Sequence, residues 1–402
     1  MHKAHKIRLA PTNKQATGLA KASGTARFAY NWALAQWNEQ YEARKLDPSL
    51  PAPTQYALRR ELNSIKRTQF PWMLESTKCA PQEAIIALGV AFTNFFAGHA
   101  KHPTFKKKNV STESFRLSSG QFRIEGKRLR VPNIGWVRMR ETVRFENATQ
   151  VSVTISKQAG QWYASVNCEI THPITPTIPA STVGVDLGVR EYVVSDGTRH
   201  QVPRALRNAQ HGLKRAQQSL ARTVKGSTNR AKARHKVAVL HHRVANTRTD
   251  WMHQLTTGLA NSHDRIVIED LNVRGMLTNH HLALSIADAS FGEFRRQLEY
   301  KTTDRSTTLI VADRWFPSSK TCSACGAKTT RTLALQVRSW TCETCETVHD
   351  RDVNAAINLA LYAGSSPVSA CGELFASTGT GPDGLVWVSG LDEAGTRQHQ
   401  AI

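Results

Sequence analysis

Acid is scarce in this chain. Its 402 residues hold 31 Asp and Glu against 53 Lys and Arg, a formal net charge of +22. An excess that large and that clustered is more than solubility needs, and it implies a polyanionic partner. Long apolar runs are missing too. The longest, Ala84 to Phe92, is too short to span a bilayer. Met1 to Ala10 is basic but no apolar stretch follows it, so no secretory signal is expected. With no amphipathic or lipidated anchor in view, nucleic acid is the expected polyanion, no membrane is expected, and the expected location is the cytosol. Cysteine is sparse: seven in all. Four fall in a metal pattern and leave Cys79, Cys168 and Cys371 over, which suits a reducing compartment and excludes a disulfide framework. No internal repeat is present. What remains, with 40% hydrophobic residues, is enough for real cores, and the length suggests two to three domains.

The chain changes character along its length. A short strand over residues 5–12 leads to a helical stretch that continues, with breaks at Pro51, Pro53 and Pro71, to about Gly98. Lys101 to Lys108 (KHPTFKKK) is a basic loop. From Ser114 to Ile170, short alternating segments such as Leu129-Arg-Val and Val151-Ser-Val-Thr-Ile predict a compact antiparallel β domain. Thr171 to Pro179 reads as a linker. Beyond it, Val183 to Val189 and Glu191 to Val194 form a predicted hairpin. Helices over 203–222 and about 229–261 form a predicted helical hairpin, broken at Lys225-Gly226. Residues 201–250 carry twelve Lys or Arg and a single acid, Asp250, which points to a nucleic-acid track. A strand over Ile266–Ile268, a helix over Ser285–Lys301 and a strand from Leu309 follow. The tail from Gly364 to Ile402 has seven Gly and little periodicity, and is expected to be disordered.

Two kinds of motif carry chemistry. Cys322-Ser-Ala-Cys325 and Cys342-Glu-Thr-Cys345 stand sixteen residues apart, the spacing of a zinc ribbon. Two such knuckles close a tetrahedron of thiolates with no open position, so the expected Zn2+ is structural. The second kind is acidic. Asp186 follows an apolar strand and precedes Gly188, which is expected to let a metal or phosphate approach. Glu269 ends a second strand, with Asp270 beside it. Asp350 and Asp352 open a helix, where capping is the plain alternative. A strand Asp, a strand Glu and a helix Asp are similar to the ribonuclease-H arrangement, in which adjacent strands and a packing helix gather carboxylates at one sheet edge. Hard oxygen ligands of this kind suit two Mg2+ ions about 3.5–4 Å apart and a phosphodiester hydrolysis.

Further motifs sharpen the reading: Gly24, Arg27, Phe28, Tyr30 and Asn31; Gly135-Trp136-Val137; Leu284 to Ala289 with Phe291 to Phe294; and Trp315-Phe-Pro-Ser-Ser-Lys-Thr-Cys322. Together with Gly184 to Gly188, Ile268 to Leu271, the cysteine pairs and Asp350 to Ala356, they make the chain resemble the TnpB family over about residues 5–361. These are transposon-encoded RNA-guided DNA endonucleases, often described as transposases and related to type V CRISPR effectors.

The resemblance implies a multidomain α+β protein: a RuvC-like (RNase H-type) α/β nuclease domain with an inserted zinc ribbon, a β-barrel wedge domain and a helical recognition domain. The implied boundaries are 1–20 and 99–178 for the wedge, 21–98 for the recognition helices and 179–321 for the nuclease core with its basic hairpin 203–262. The zinc ribbon falls at 322–345, the last nuclease segment at 346–362 and the tail at 363–402. It makes Asp186, Glu269 and Asp352 the catalytic Mg2+ ligands, with Asp352 preferred over Asp350 because Asp352 to Ala356 matches the family's third motif. It implies a guide RNA from the transposon end, a double-stranded DNA target beside a short adjacent motif, and an indirect part in transposition, all in a prokaryotic cytosol at the nucleoid. Expected nucleic-acid contacts are Lys106, Lys107, Lys108, Arg215, Arg222, Lys225, Arg230, Lys232, Arg234, Lys236 and Arg243. The competing readings are an RNA-guided repressor that binds without cutting and a guide-free, structure-specific nuclease. A transposase that joins strands itself is disfavoured, because no convincing Tyr or Ser recombinase signature is present.

Overall fold

The computed structural model describes residues 1–145, 148–170, 181–331, 333 and 336–365, and three short strands between 379 and 401. It divides into two units, Met1–His172 and Pro173–Ile402. The expected linker over 171–179 lies outside the described residues.

The first unit opens with β1 (His2–Ala10), which leads into α1 (Asn13–Leu46). Thr12 Oγ1 accepts the Gln15 N–H at 3.3 Å while the Gln15 side chain accepts the Thr12 N–H at 3.0 Å, a reciprocal cap. This cap starts α1 inside the stretch 1–20, expected as the N-terminal part of the wedge β-barrel, and directly after the expected strand. α2 (Gln55–Gln69) stops short of Pro71, which cannot continue a helix. α3 (Cys79–Phe96) keeps Pro81 within its first turn, where a missing N–H costs little. Among the described residues, α3 is the one helix long and apolar enough to cross a bilayer. Its Ile85, Leu88 and Phe92 are buried in a core with α1, and Phe92 stacks on Trp37 with centroids 4.3 Å apart. That pair adds about 0.5–1.5 kcal/mol beyond its area burial and holds one face of α3 against α1.

β2 (Glu113–Ser118), β3 (Arg123–Glu125), β4 (Arg128–Val131), β5 (Gly135–Met139), β6 (Thr149–Gln158) and β7 (Gln161–Glu169) join β1. The result is a seven-stranded antiparallel sheet in the order β2-β6-β7-β1-β5-β4-β3. Where a barrel was expected, the structure has this sheet with β2 and β3 at its ends. β1 pairs with β7 from His2 to Arg8 and with β5 from Leu9, and this change of partner lets one strand serve two neighbouring ladders. Alternate residues such as Ile7 and Leu9, Leu129 and Val131, and Ala164 and Val166 are buried, leaving the intervening positions to solvent.

The second unit begins with β8 (Thr182–Leu187), β9 (Glu191–Val194) and β10 (Arg199–Gln201). Then come α4 (Ala205–Ala221), α5 (Thr228–Ser262), β11 (Arg265–Glu269), α6 (Val273–Met276), α7 (Ala283–Ala289), α8 (Phe291–Arg305) and β12 (Thr308–Ala312). A short hairpin, β13 (Ser339–Thr341) and β14 (Val348–Asp350), leads into α9 (Arg351–Ser365). The five-stranded sheet has the order β10-β9-β8-β11-β12, with β8, β11 and β12 parallel and the β8–β9 and β9–β10 pairings antiparallel. Val183, Val185, Ile266 and Ile268 face a core built with α5, α7 and α8, while Val267 packs with Leu359 of α9 on the other face. The predicted helix Ser285–Lys301 is two helices, α7 and α8, broken at Ser290 with φ 58°. The break lets buried Asp288 accept the N–H groups of Leu206 and Arg207 at 2.7 and 2.9 Å, which caps α4.

Much of the tail 363–402, expected to be disordered, lies outside the described residues. α9 runs on to Ser365, and β15 (Gly379–Thr380), β16 (Val386–Leu391) and β17 (Arg397–Ala401) pair as an antiparallel sheet. The Val-Trp-Val run from Val386 suits a strand and outweighs the glycines around it.

Candidate active site and basic surfaces

Strand parity decides where the acids point. Val183, Val185 and Leu187 face one core, so Gly184 and Asp186 face the opposite side, toward α9. Val267 packs with α9, so Glu269 shares that side. β8 and β11 are in register, Ile268 opposite Val185, which puts Asp186 and Glu269 next to each other at the ends of adjacent strands. α9 lies close enough on β8 that a Cβ on Gly184 would sit 2.0 Å from the Ala356 carbonyl oxygen. Only glycine permits this approach, and the approach delivers Asp352, in the first turn of α9, to the same edge. The three elements thus bring together Asp186, Glu269 and Asp352. Burial raises the Asp186 carboxyl well above the usual range, and the charges of Glu269 and then Asp352 push it the same way.

Two neighbouring acids are held in other contacts. Asp350 Oδ1 accepts the N–H groups of Asp352 at 3.1 Å and Val353 at 3.0 Å, while its Oδ2 meets Arg199 at 2.8 Å. It is the cap of α9. Asp270 is held by Arg295 at 2.9 Å and Arg314 at 2.5 Å. Gly188, expected to admit a metal or phosphate, instead makes room for the Glu191 carbonyl oxygen, which a Cβ would meet at 2.5 Å. Its role is the tight turn between β8 and β9.

Four cysteines converge. Cys322 and Cys345 sulfurs lie 3.6 Å apart, Cys325 and Cys342 sulfurs 3.7 Å, and all four lie within 4.8 Å of one another. A tetrahedral Zn2+ with Zn–S near ~2.3 Å requires sulfurs ~3.8 Å apart, so the donor set fits that ion. The Cys345 thiol is lowered to about 6 by hydrogen bonds from the Thr347 hydroxyl and backbone, which favours the ligating thiolate.

Sequence reasoning missed several residues at this edge. Arg338, just before β13, pairs with Asp352 at 2.7 Å. His349 on β14 lies 3.0 Å from the Cys322 sulfur. The Ser318 hydroxyl donates to Glu269 Oε1 at 2.7 Å. Asn354 and Asn358 are both buried on α9. The signal for these last two was available: two amides four residues apart on an otherwise apolar helix face.

The expected nucleic-acid contacts divide. Lys107, Lys108, Arg215, Arg222, Lys225, Lys232, Arg234, Lys236 and Arg243 are exposed. Lys106 is not free for a phosphate: its amine lies 3.9 Å above the Tyr30 ring, and its backbone exchanges two hydrogen bonds with the Asn31 side chain. Arg230 is used up as well, donating to the carbonyls of Leu220 and Thr223 at the end of α4. The solvent face of the seven-stranded sheet carries a second basic surface that no sequence run announced. Arg123 stands opposite Arg130, and Arg128 opposite Arg138. Glu125 pairs with Arg123 and Arg128, but Arg130 and Arg138 have no acidic partner among the described residues. Arg128 covers Trp136 at 5.3 Å and Lys6 covers Tyr163 at 4.9 Å. Like charges directly opposite on a ladder are destabilising, so the sheet bears them at a cost.

Comparison with known proteins gives the family. A family described as “Probable transposase” matches residues 165–280, a “Cas12f1-like, TNB domain” matches 291–359, and a “Helix-turn-helix domain” matches 1–45. In this chain the last segment is one strand and one continuous helix. A Streptomyces pristinaespiralis protein named as a candidate RNA-guided DNA endonuclease is 39% identical over 387 residues, 92% of this chain and 91% of that one. InsQ of Escherichia coli K12, named in the same way, is 32% identical over 93% of this chain and 95% of its own. A TnpB-like protein of Acanthamoeba polyphaga mimivirus is 31% identical over 32% of this chain and 25% of its own. The chain belongs to the TnpB family.

Proposed function

We propose that the chain is an RNA-guided, Mg2+-dependent DNA endonuclease of an insertion sequence. In this reading the second unit is a RuvC-like nuclease with an inserted zinc ribbon, and the first unit combines a wedge sheet with recognition helices. One observation carries it: strand register sets Asp186 beside Glu269 at one sheet edge, and the charges of both Glu269 and Asp352 act on the Asp186 carboxyl. A cluster of this kind is unfavourable without cations. Asp186, Glu269 and Asp352 would hold two Mg2+ ions, which supply an activated water and neutralise charge on the leaving 3′ oxygen. The chain's own part is to fix the acids. The packing of α9 on Gly184 sets the reach of Asp352, the Asp350 cap anchors the turn that carries it, and Ser318 orients Glu269. Arg338 can pair with Asp352 or turn to a phosphate, since guanidinium suits both.

Guide RNA from the transposon end and target DNA would lie on the exposed cations of the α4–α5 hairpin, the Lys107-Lys108 loop and the arginine face of the sheet. Base pairing would choose the sequence, and a short adjacent DNA motif would license cleavage. Cutting a vacated donor site would then favour retention of the element. The names of the full-length relatives support the guided activity. The test is to express the chain with its flanking DNA, purify it and sequence the bound RNA. One abundant RNA with a variable end is the expected result. Absence of RNA, with cleavage of naked or branched DNA retained, would replace this reading by a guide-free nuclease.

A further inference from the structure

The segment between β12 and the first zinc knuckle is held from both sides. Ser318 is 4% exposed, and its hydroxyl donates to Glu269 Oε1 at 2.7 Å. Its carbonyl accepts from Asn358 Nδ2 at 2.7 Å, and the Thr321 carbonyl accepts from Asn358 at 2.6 Å and Asn354 at 2.8 Å. Asn354 Oδ1 in turn accepts the Ser323 N–H at 2.9 Å, next to Cys322. Both asparagines lie on α9, within two turns of Asp352. Buried, hydrogen-bonded amides are costly to disturb, and they favour one arrangement.

From this geometry we infer that Ser318 is a positioning residue for the Mg2+ site, moored by Asn354 and Asn358 between the zinc knuckle and the helix that bears Asp352. The inference rests on the proposed carboxylate site. A hydroxyl donating to one oxygen of Glu269 fixes the plane of the carboxylate and leaves the other oxygen to the cation. Partners of this outer kind tune metal affinity by about 10–100-fold. The same three side chains join the structural knuckle to two of the three acids, so the two metal sites share one support.

The test needs no nucleic acid. Mg2+ is titrated into the purified full chain, and the metal-dependent rise in melting temperature is followed together with zinc content. Ser318→Ala is expected to raise the Mg2+ midpoint about tenfold or more, with zinc content unchanged, and Ser318→Thr to restore it. Asn358→Ala, which keeps the hydroxyl but removes its mooring, is expected to shift the midpoint the same way by less, and it serves if Ser318→Ala folds poorly. A wild-type midpoint retained in Ser318→Ala or Asn358→Ala, or no restoration by threonine, overturns the inference alone. A wild-type chain with no Mg2+ response overturns the carboxylate-site reading and this inference with it. Cleavage assays separately report on the guided activity.

Discussion

Two surfaces of this molecule concentrate like charge, and they do it differently. At the edge of the five-stranded sheet, Asp186, Glu269 and Asp352 meet where burial is the largest cause of the Asp186 shift. Across the seven-stranded sheet, Arg123 faces Arg130 and Arg128 faces Arg138 in open solvent. In the first cluster Asp186 is largely desolvated, and although Arg338 pairs with Asp352, a compact cation is the ligand that relieves all three acids at once. The second is wet and screened by salt over about 10 Å, so a flexible polyanion relieves it. In the proposed reading one is a site, and the other is a track.

The comparison breaks most sharply at Asp186. Asp186→Ala is expected to lower DNA cleavage by roughly a thousandfold or more, since several kcal/mol of transition-state stabilisation are lost, while bound RNA is retained. A cleavage assay beside RNA quantitation of the same preparation checks both halves. Next in size is the arginine face. Arg130→Ala with Arg138→Ala is expected to weaken RNA binding and to reduce the slope of log affinity against log salt by about one per arginine. Filter binding across a salt series reads it, and a slope equal to wild type would remove this face from the track.

A smaller effect concerns pH. The folded chain raises the Asp186 carboxyl above its unfolded value, so the metal-free folded state binds that proton more tightly. The resulting stability is complete below the unfolded value of about 3.9 and is lost as pH rises through the raised one. The metal-free melting temperature is therefore expected to fall between acidic and neutral pH, and Mg2+ to restore it. Asp186→Asn is expected to flatten the fall and to raise the metal-free neutral value. The smallest effect is Asp350→Ala. It removes the cap of α9, costs about 1 kcal/mol and changes cleavage far less than Asp352→Ala does. Parallel denaturation and cleavage series of the two variants give the contrast.

Much of this was legible in the chain. Asp186 and Glu269 end apolar runs at strand period, and the two cysteine pairs have ribbon spacing, so both were visible without coordinates. The capping role of Asp350 was only one alternative in the sequence, because the N–H groups that occupy it belong to helix geometry. Lys106 and Arg230 looked like track residues because a charge count cannot see Tyr30 or the end of α4. The arginine face stayed hidden for a related reason. Arg123 and Arg130 become neighbours only through strand register, which depends on how β3, β4 and β5 pair. Ser290, an ordinary residue in a helical pattern, takes a left-handed conformation because Asp288 has to reach α4.

The most direct measurement loads wild-type and Asp186→Asn chains with the RNA that co-purifies, and offers each a DNA duplex matching that RNA, with and without Mg2+. The account predicts cleavage only for the wild type and only with Mg2+, with the duplex bound by both. Cleavage by Asp186→Asn at the wild-type rate, or cleavage by the wild type in chelator, would contradict the carboxylate edge as the site of the chemistry.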